Sequence, residues 1–348
     1  MGTVIHCPKR GEIEFSENAL VITDDEGKIV DHLKNDAVNH AQTKNKFKDD
    51  GALFELLDHQ YLLPGFTDLH IHAPQWPQLG KALDVPLEVW LQKYTFPLEA
   101  KYEDEVFARI IYTELVTSLL RAGTTTAVYY GTIHQRANQI LADVCIDKGQ
   151  RAIIGKVVMD NKDQCPDYYR DASTQAAIDG TSEFLEYVKA HGKNIENKVN
   201  VAVTPRFIPS CTDEALNALG DLASTHSSYI QTHCSESDWE HNYVIERCGK
   251  SDTEALMEYG LLTESTILAH GNFISENDMD LIKEQGAGIA HCPLSNYFFS
   301  DAVFPLRRAL EKGLRVGLGT DISGGPSASV LDSCRSAITA ARALENGT

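Results

Sequence analysis

From residue 62 onward, eight short β-prone runs alternate with longer stretches of helical periodicity. The runs cover 62–70, 124–131, 152–159, 199–206, 229–233, 266–270, 288–291 and 315–319. Between them lie stretches such as 103–122, 135–148, 174–189, 212–225, 276–285 and 304–312, in which apolar residues recur at helical spacing. Thr212 and Ser275 stand where helix N-caps belong, and Gly123, Gly149, Gly286 and Gly313 stand where helices end. Eight β-then-α units are what a closed (β/α)8 barrel requires. A doubly wound sheet needs no such count, and its Gly-x-Gly-x-x-Gly turn is absent from the sequence. The expected fold class is therefore α/β, a TIM-type (β/α)8 barrel over 61–348.

Residues 1–60 have a different texture. Short β-prone runs at 3–6, 12–15, 19–23, 28–30 and 53–57 are separated by turn formers such as Asp24-Asp25-Glu26-Gly27. The polar segment 35–51 reads as a loop or a short surface helix. This region is expected to be a small β-layer, distinct from the barrel.

A barrel carries its functional residues at the C-terminal ends of its strands. His70 and His72 stand at the end of the first run. Residues two apart on a strand point to the same face, so the two imidazoles project together. His233 ends the fifth run, His270 the sixth, and Asp321 follows the eighth. Any one of these taken alone reads as a satisfied buried side chain. Five at the ends of four strands point to a metal centre of the open, catalytic kind, suited to zinc or iron. Such an ion brings the pKa of a bound water to about 7. Glu236, three residues past His233, is placed to take and deliver a proton. The fourth run, ending in Thr204-Pro205-Arg206, has no lysine to bridge a second ion, which favours one metal.

Composition narrows the partners. The net charge of −19 opposes a nucleic-acid or anionic-membrane surface. No apolar run approaches the roughly 20 residues of a membrane span, and the N-terminus lacks the pattern of a signal peptide. A cytoplasmic location is expected. The eight cysteines form no Cys-x-x-Cys and read as free thiols. Asn346-Gly347-Thr348 matches a glycosylation triplet that has no meaning without secretion.

Several blocks carry a resemblance to a known family. They are Pro-Gly-Phe-Thr-Asp-Leu-His-Ile-His-Ala-Pro-Gln (64–75), Lys-Tyr-Thr-Phe-Pro-Leu-Glu (93–99) and Gly-Thr-Thr-Thr (123–126). They continue with Gly-Gln-Arg-Ala-Ile-Ile-Gly-Lys-Val-Val-Met-Asp (149–160), Thr-Pro-Arg-Phe-Ile-Pro-Ser-Cys (204–211) and Gln-Thr-His-Cys-Ser-Glu (231–236). The last are Ala-His-Gly-Asn (269–272), His-Cys-Pro-Leu-Ser-Asn (291–296) and Gly-Leu-Gly-Thr-Asp-Ile-Ser-Gly-Gly (317–325). In these the chain resembles the amidohydrolase superfamily, and within it the eukaryotic-type guanine deaminases. The resemblance implies a barrel with a small β-sandwich. It implies Zn²⁺ bound by His70, His72, His233, His270 and Asp321. It implies substrate contacts from Gln75, Arg206 and Phe207, together with His72, His233, Glu236 and Asp321. Glu236 is then the general acid/base, with His270 and Asp321 orienting the water, and a homodimer is implied. The reaction implied is guanine plus water giving xanthine plus ammonia. The chemistry of the residues agrees. Guanine offers O6 and N7 as acceptors, which suit an arginine, and a glutamine amide can both donate and accept. Trp90 and Phe96 are candidates for the pocket wall. His291 and Cys292 read as packing or support, Ser295-Asn296 as a turn cap, and His134 and His241 as surface residues.

Two departures stand out. Ser237 occupies a position where the family usually has Asn. The family also continues past the point where this chain ends, with strands that return to the N-terminal layer. An uncovered face or edge on 1–60, and a weakly stable or aggregation-prone protein, are therefore expected. The rival readings are a cytosine, pterin or s-triazine deaminase, and a non-catalytic scaffold, which usually lacks the metal ligands.

Overall fold

Pro64 and Gly65 divide the run read as one strand over 62–70. In the structure, a computed structural model that describes residues 1–300 and 302–344, the division is also that between two units, Met1–Gly65 and Phe66–Thr348. The Asn346-Gly347-Thr348 triplet lies outside the described residues.

The first unit is a sheet of β1 (Gly2–His6), β2 (Glu14–Thr23), β3 (Ile29–Leu33) and β4 (Tyr61–Leu62) in the order β3-β2-β1-β4. The pairs β1–β2 and β2–β3 are antiparallel, and β1–β4 is parallel. The runs expected at 12–15 and 19–23 are one strand, carried through Asn18 at φ +52°. Tyr61 and Leu62 are exposed edge residues here, not the buried start of a barrel strand. The strand expected at 53–57 is absent. That segment makes isolated backbone bonds with Met1, whose amino group donates to the Phe54 carbonyl and whose carbonyl accepts from Leu56 N, so no ladder forms. The polar segment contains a helix, His40–Asp49. Ile13, Phe15, Ile29, Val30 and Phe54 are all exposed.

The second unit is the expected (β/α)8 barrel. Its strands are β5 (Phe66–His72), β6 (Thr124–Tyr130), β7 (Arg151–Gly155) with its extension β8 (Val157–Val158), β9 (Val199–Pro205), β10 (Tyr229–Cys234), β11 (Thr266–His270), β12 (Gly288–His291) and β13 (Arg315–Leu318). They pair in parallel and in chain order. Closure between β5 and the residues after β13 rests on Asp321 N donating to the His70 carbonyl at 2.9 Å and His72 N to the Ile322 carbonyl at 2.8 Å. The buried carboxylate of Asp68 adds bonds from Thr320 N at 3.0 Å and Thr320 Oγ1 at 2.5 Å. Gly317 lets the strands meet, because a Cβ there would lie 2.4 Å from Leu69 Cδ1.

The helices begin and end where local chemistry directs. Thr212 caps Asp213–His226 by accepting from Ala215 N, and Ser275 forms a capping box with Asp278 on Glu276–Gln285. Gly149, Gly286 and Gly313 take the left-handed conformation after their helices. The apolar core lies between strands and helices. Ile71, Tyr112, Leu115, Leu119 and Ile154 fill one side, and Val203, Leu216, Leu219, Leu268 and Ile289 the other. Each such burial is worth about 1.5–3 kcal/mol, which makes the strand ends a firm platform.

Candidate active site

The C-terminal ends of β5, β10 and β11, with the turn after β13, bring the sequence-predicted residues together. His70 Nε2 lies 3.3 Å from Asp321 Oδ1, and His72 Nε2 lies 3.7 Å from the same oxygen. His270 Nε2 is 3.9 Å from Asp321 Oδ2 and 3.6 Å from Glu236 Oε1. The Nε2 atoms of His72 and His233 are 3.0 Å apart. All six side chains are buried. Ser235, His270 and Asp321 have φ of +49°, +73° and +51°. Such left-handed residues cost about 1–3 kcal/mol each and collect at functional sites.

The donor set fits a divalent ion. His233 Nδ1 donates to the Arg206 carbonyl at 2.6 Å, and His270 Nδ1 donates to Asn296 Oδ1 at 2.9 Å. Each bond places the proton on Nδ1 and leaves Nε2 as a lone pair turned inward. His70 Nε2, His72 Nδ1 and His270 Nε2 are buried without a hydrogen-bond partner, a costly arrangement for an interior with nothing to coordinate. Ligand atoms of His70, His233 and His270, of His70, His72 and Asp321, and of Glu236, His270 and Asp321 form three groups, each within 4.8 Å. These residues could hold a metal ion.

Electrostatics sort the roles. Burial holds His72, His233 and His270 below the usual imidazole range, so they are neutral and able to ligate. Burial alone would raise the Asp321 carboxyl. Its contacts with His70 first, then His270 and His72, outweigh that and hold it well below the usual carboxylate range. Glu236 goes the other way: burial, then the charge of Asp321, pushes it up to about 8. Two neighbouring carboxyls with separated pKa values are the pattern of a charge-holding group beside a proton carrier.

A pocket opens onto this cluster. Gln75, Arg206, Phe207, Trp90 and Phe299 line it together with His72, His233, Glu236 and Asp321. The guanidinium of Arg206 is gripped by a residue that sequence reasoning did not assign. Arg206 Nη1 donates to Glu99 Oε2 at 2.7 Å and Nη2 to Glu99 Oε1 at 3.2 Å, while Gln75 Nε2 donates to Oε1 at 2.8 Å. Phe96 lies under Arg206, its ring centroid 5.1 Å from Cζ, rather than in the pocket wall. Glu99 closes the 93–99 block, and a carboxylate between two apolar neighbours was the available signal.

The surroundings correct several smaller expectations. Asn296 does not cap its turn with its side chain; it orients His270. His241 is half-buried, 3.4 Å from Asp252 Oδ2, whose hydrogen bond and then charge raise its pKa. His134 is also half-buried, its ring 5.8 Å from that of Tyr169. Ser237 caps helix Asp238–Cys248, its Oγ accepting from Glu240 N. Glu240 in turn accepts from Glu236 N at 2.7 Å, and Asn272 Nδ2 donates to the Glu236 carbonyl at 2.8 Å. The turn carrying Glu236 is thus held on both sides. His291 packs against Phe304, its pKa lowered to about 3 by burial and then by His270.

Barrel and cluster together define a class: an α/β-barrel hydrolase with residues able to hold a metal ion. The amidohydrolase family model matches residues 61–347, and the chain belongs to that family. It is similar to the guanine deaminase of Dictyostelium discoideum, at 39% identity over 97% of this chain and 76% of the relative. It is 38% identical to the guanine deaminase of Mus musculus, over 99% of this chain and 75% of the relative. Among solved structures, the guanine deaminase from C. acetobutylicum with bound guanine aligns with a TM-score of 0.89 at 30% identity, covering 99% of this chain and 79% of that one.

Proposed function

We propose that the protein hydrolyses guanine to xanthine and ammonia, with one zinc ion held by His70, His72, His233, His270 and Asp321. The observation that carries this reading is that His72, His233 and Asp321 of the metal-type cluster line one pocket with Glu236, Arg206 and Gln75. Similarity to guanine deaminases over nearly the whole chain supports the choice of substrate. A zinc ion bound there supplies Lewis acidity that makes water a nucleophile near neutral pH.

The chain's own residues do the rest. Arg206 and Gln75 seat the purine edge, and Phe207 flanks the ring. Asp321 and His270 orient the water toward C2. Glu236 takes a proton from the water as its oxygen bonds to C2, and passes that proton to N3. It then carries the second water proton to the departing amine. The C2–N bond breaks, ammonia leaves and the C2 carbonyl of xanthine forms. Purine catabolism in the cytoplasm is the proposed setting. Among the described residues no helix is long and apolar enough to cross a membrane.

An ultraviolet assay for loss of guanine, run on zinc-loaded and chelated protein, tests the proposal. Turnover that chelation abolishes and zinc restores is expected. Guanine left intact by the zinc-loaded protein, with an s-triazine or cytosine consumed instead, would overturn it.

A further inference from the structure

Glu99 ends a short helix, Phe96–Glu99, and is completely buried. It touches neither the metal-type cluster nor open solvent. Its two oxygens take three hydrogen bonds, two from the Arg206 guanidinium and one from Gln75 Nε2. An ionised carboxylate only accepts. It therefore fixes which end of the Gln75 amide faces it, and the other end agrees: Gln75 Oε1 is turned to Ser323 N at 3.2 Å. Ser323 N occupies one lone pair of Oε1 and Glu99 one N–H of Nε2, which together fix the amide's orientation. The donors left to this wall are the second N–H of Nε2 and the guanidinium N–H groups held by neither Glu99 nor Met159 Sδ.

We infer that Glu99 makes this wall of the pocket donor-only, and by doing so selects a 6-oxo over a 6-amino purine. The inference rests on the guanine reading of the site. Guanine presents O6 and N7 as adjacent acceptors, whereas an adenine-type edge presents N7 beside an amino donor. A 6-amino group against a donor-only wall leaves buried N–H groups facing each other without acceptors, and sites built on hydrogen bonding reject such analogues strongly. Glu99 is a positioning residue: it acts through Arg206 and Gln75. A glutamine at position 99 could donate as well as accept. Gln75 would then be free to turn its oxygen toward the substrate.

The test compares guanine with 2,6-diaminopurine, which keeps the amino group at C2 and replaces O6 by an amine. Wild-type, Glu99→Gln and Glu99→Asp proteins are assayed with full zinc loading. For Glu99→Gln the KM for guanine is expected to rise about 10-fold, with kcat within a few-fold and zinc content unchanged. The ratio of kcat/KM for guanine over 2,6-diaminopurine is expected to fall at least 10-fold. Glu99→Asp keeps the carboxylate and is expected to restore most of that ratio. Guanine turnover by wild type together with unchanged KM and selectivity in Glu99→Gln overturns this inference alone, as does a loss confined to kcat. No guanine turnover by zinc-loaded wild type overturns the guanine reading and this inference with it. Should Glu99→Gln not fold, wild type decides: a kcat/KM for guanine at least about 10-fold above that for 2,6-diaminopurine supports the inference, and equal values overturn it.

Discussion

The carbonyl oxygen of Arg206 lies 2.6 Å from His233 Nδ1, while the guanidinium of the same residue is clamped by Glu99. One residue at the end of β9 thus orients a candidate ligand through its backbone and faces the pocket with its side chain. The two roles separate by mutation. Arg206→Met keeps the carbonyl but leaves the Glu99 charge buried and unpaired. A loss of about 3–5 kcal/mol is expected, with zinc stoichiometry unchanged. Adding Glu99→Gln removes the orphaned charge and should recover part of the loss. Urea unfolding of the single and double variants, with metal analysis, measures both; equal destabilisation of the two would contradict the argument.

On the zinc reading, Asn296 tunes metal binding through the bond it takes from His270 Nδ1. Asn296→Ala removes the acceptor for Nδ1, so the ring loses its fixed tautomer and direction. Loss of such a partner costs about 10–100-fold in metal affinity. Competition against a zinc chelator reads this directly, and an unchanged affinity would show that packing alone orients the ring.

Glu236→Gln is close to isosteric and leaves the proposed ligands in place. Zinc content should match wild type while kcat falls about 10²–10⁴-fold, the span of general acid–base catalysis. Turnover within a few-fold of wild type would remove Glu236 from the proton path.

The zinc-free protein should have a characteristic pH dependence. Glu236 is raised in the fold to about 8 from an ordinary value of 4.5, by burial and then by Asp321. Between those values the folded state holds a proton that the unfolded state has released. Stability therefore falls as pH rises through that window. Asp68, raised to about 6 by burial, contributes in the same direction at the lower end. Below about pH 6.5 the histidines held low by burial, His72, His233, His270 and His291, act in the opposite direction. The test is therefore a comparison: between about pH 5 and 8 the unfolding midpoint of chelated wild type should fall relative to that of Glu236→Gln.

The barrel was legible in the sequence because each strand is a short apolar run closed by a helix signal or a glycine. The clustering of the candidate ligands was legible because barrel geometry sends strand ends to one mouth, so His233, His270 and Asp321 needed no local motif to be placed together. Glu99 was not, since its meaning lies in Gln75 and Arg206, which are 24 and 107 positions away. The strand expected at 53–57 shows another limit. A β-prone composition names segments able to pair, but the backbones of Phe54 and Leu56 bond to Met1, and no ladder follows. Pro64-Gly65 was a visible break whose effect, handing Tyr61 and Leu62 to another sheet, depended on a partner strand at residues 3 and 4.

The seam between Asp68 and Thr320 joins residues 252 positions apart. His70 and His72 sit just past one side of it and Asp321 just past the other. A growing chain presents both histidines early, yet the aspartate arrives only when almost every strand has been made. On the zinc reading, the full ligand set exists only once the first and last strands have met, so complete coordination of the ion reports a closed ring.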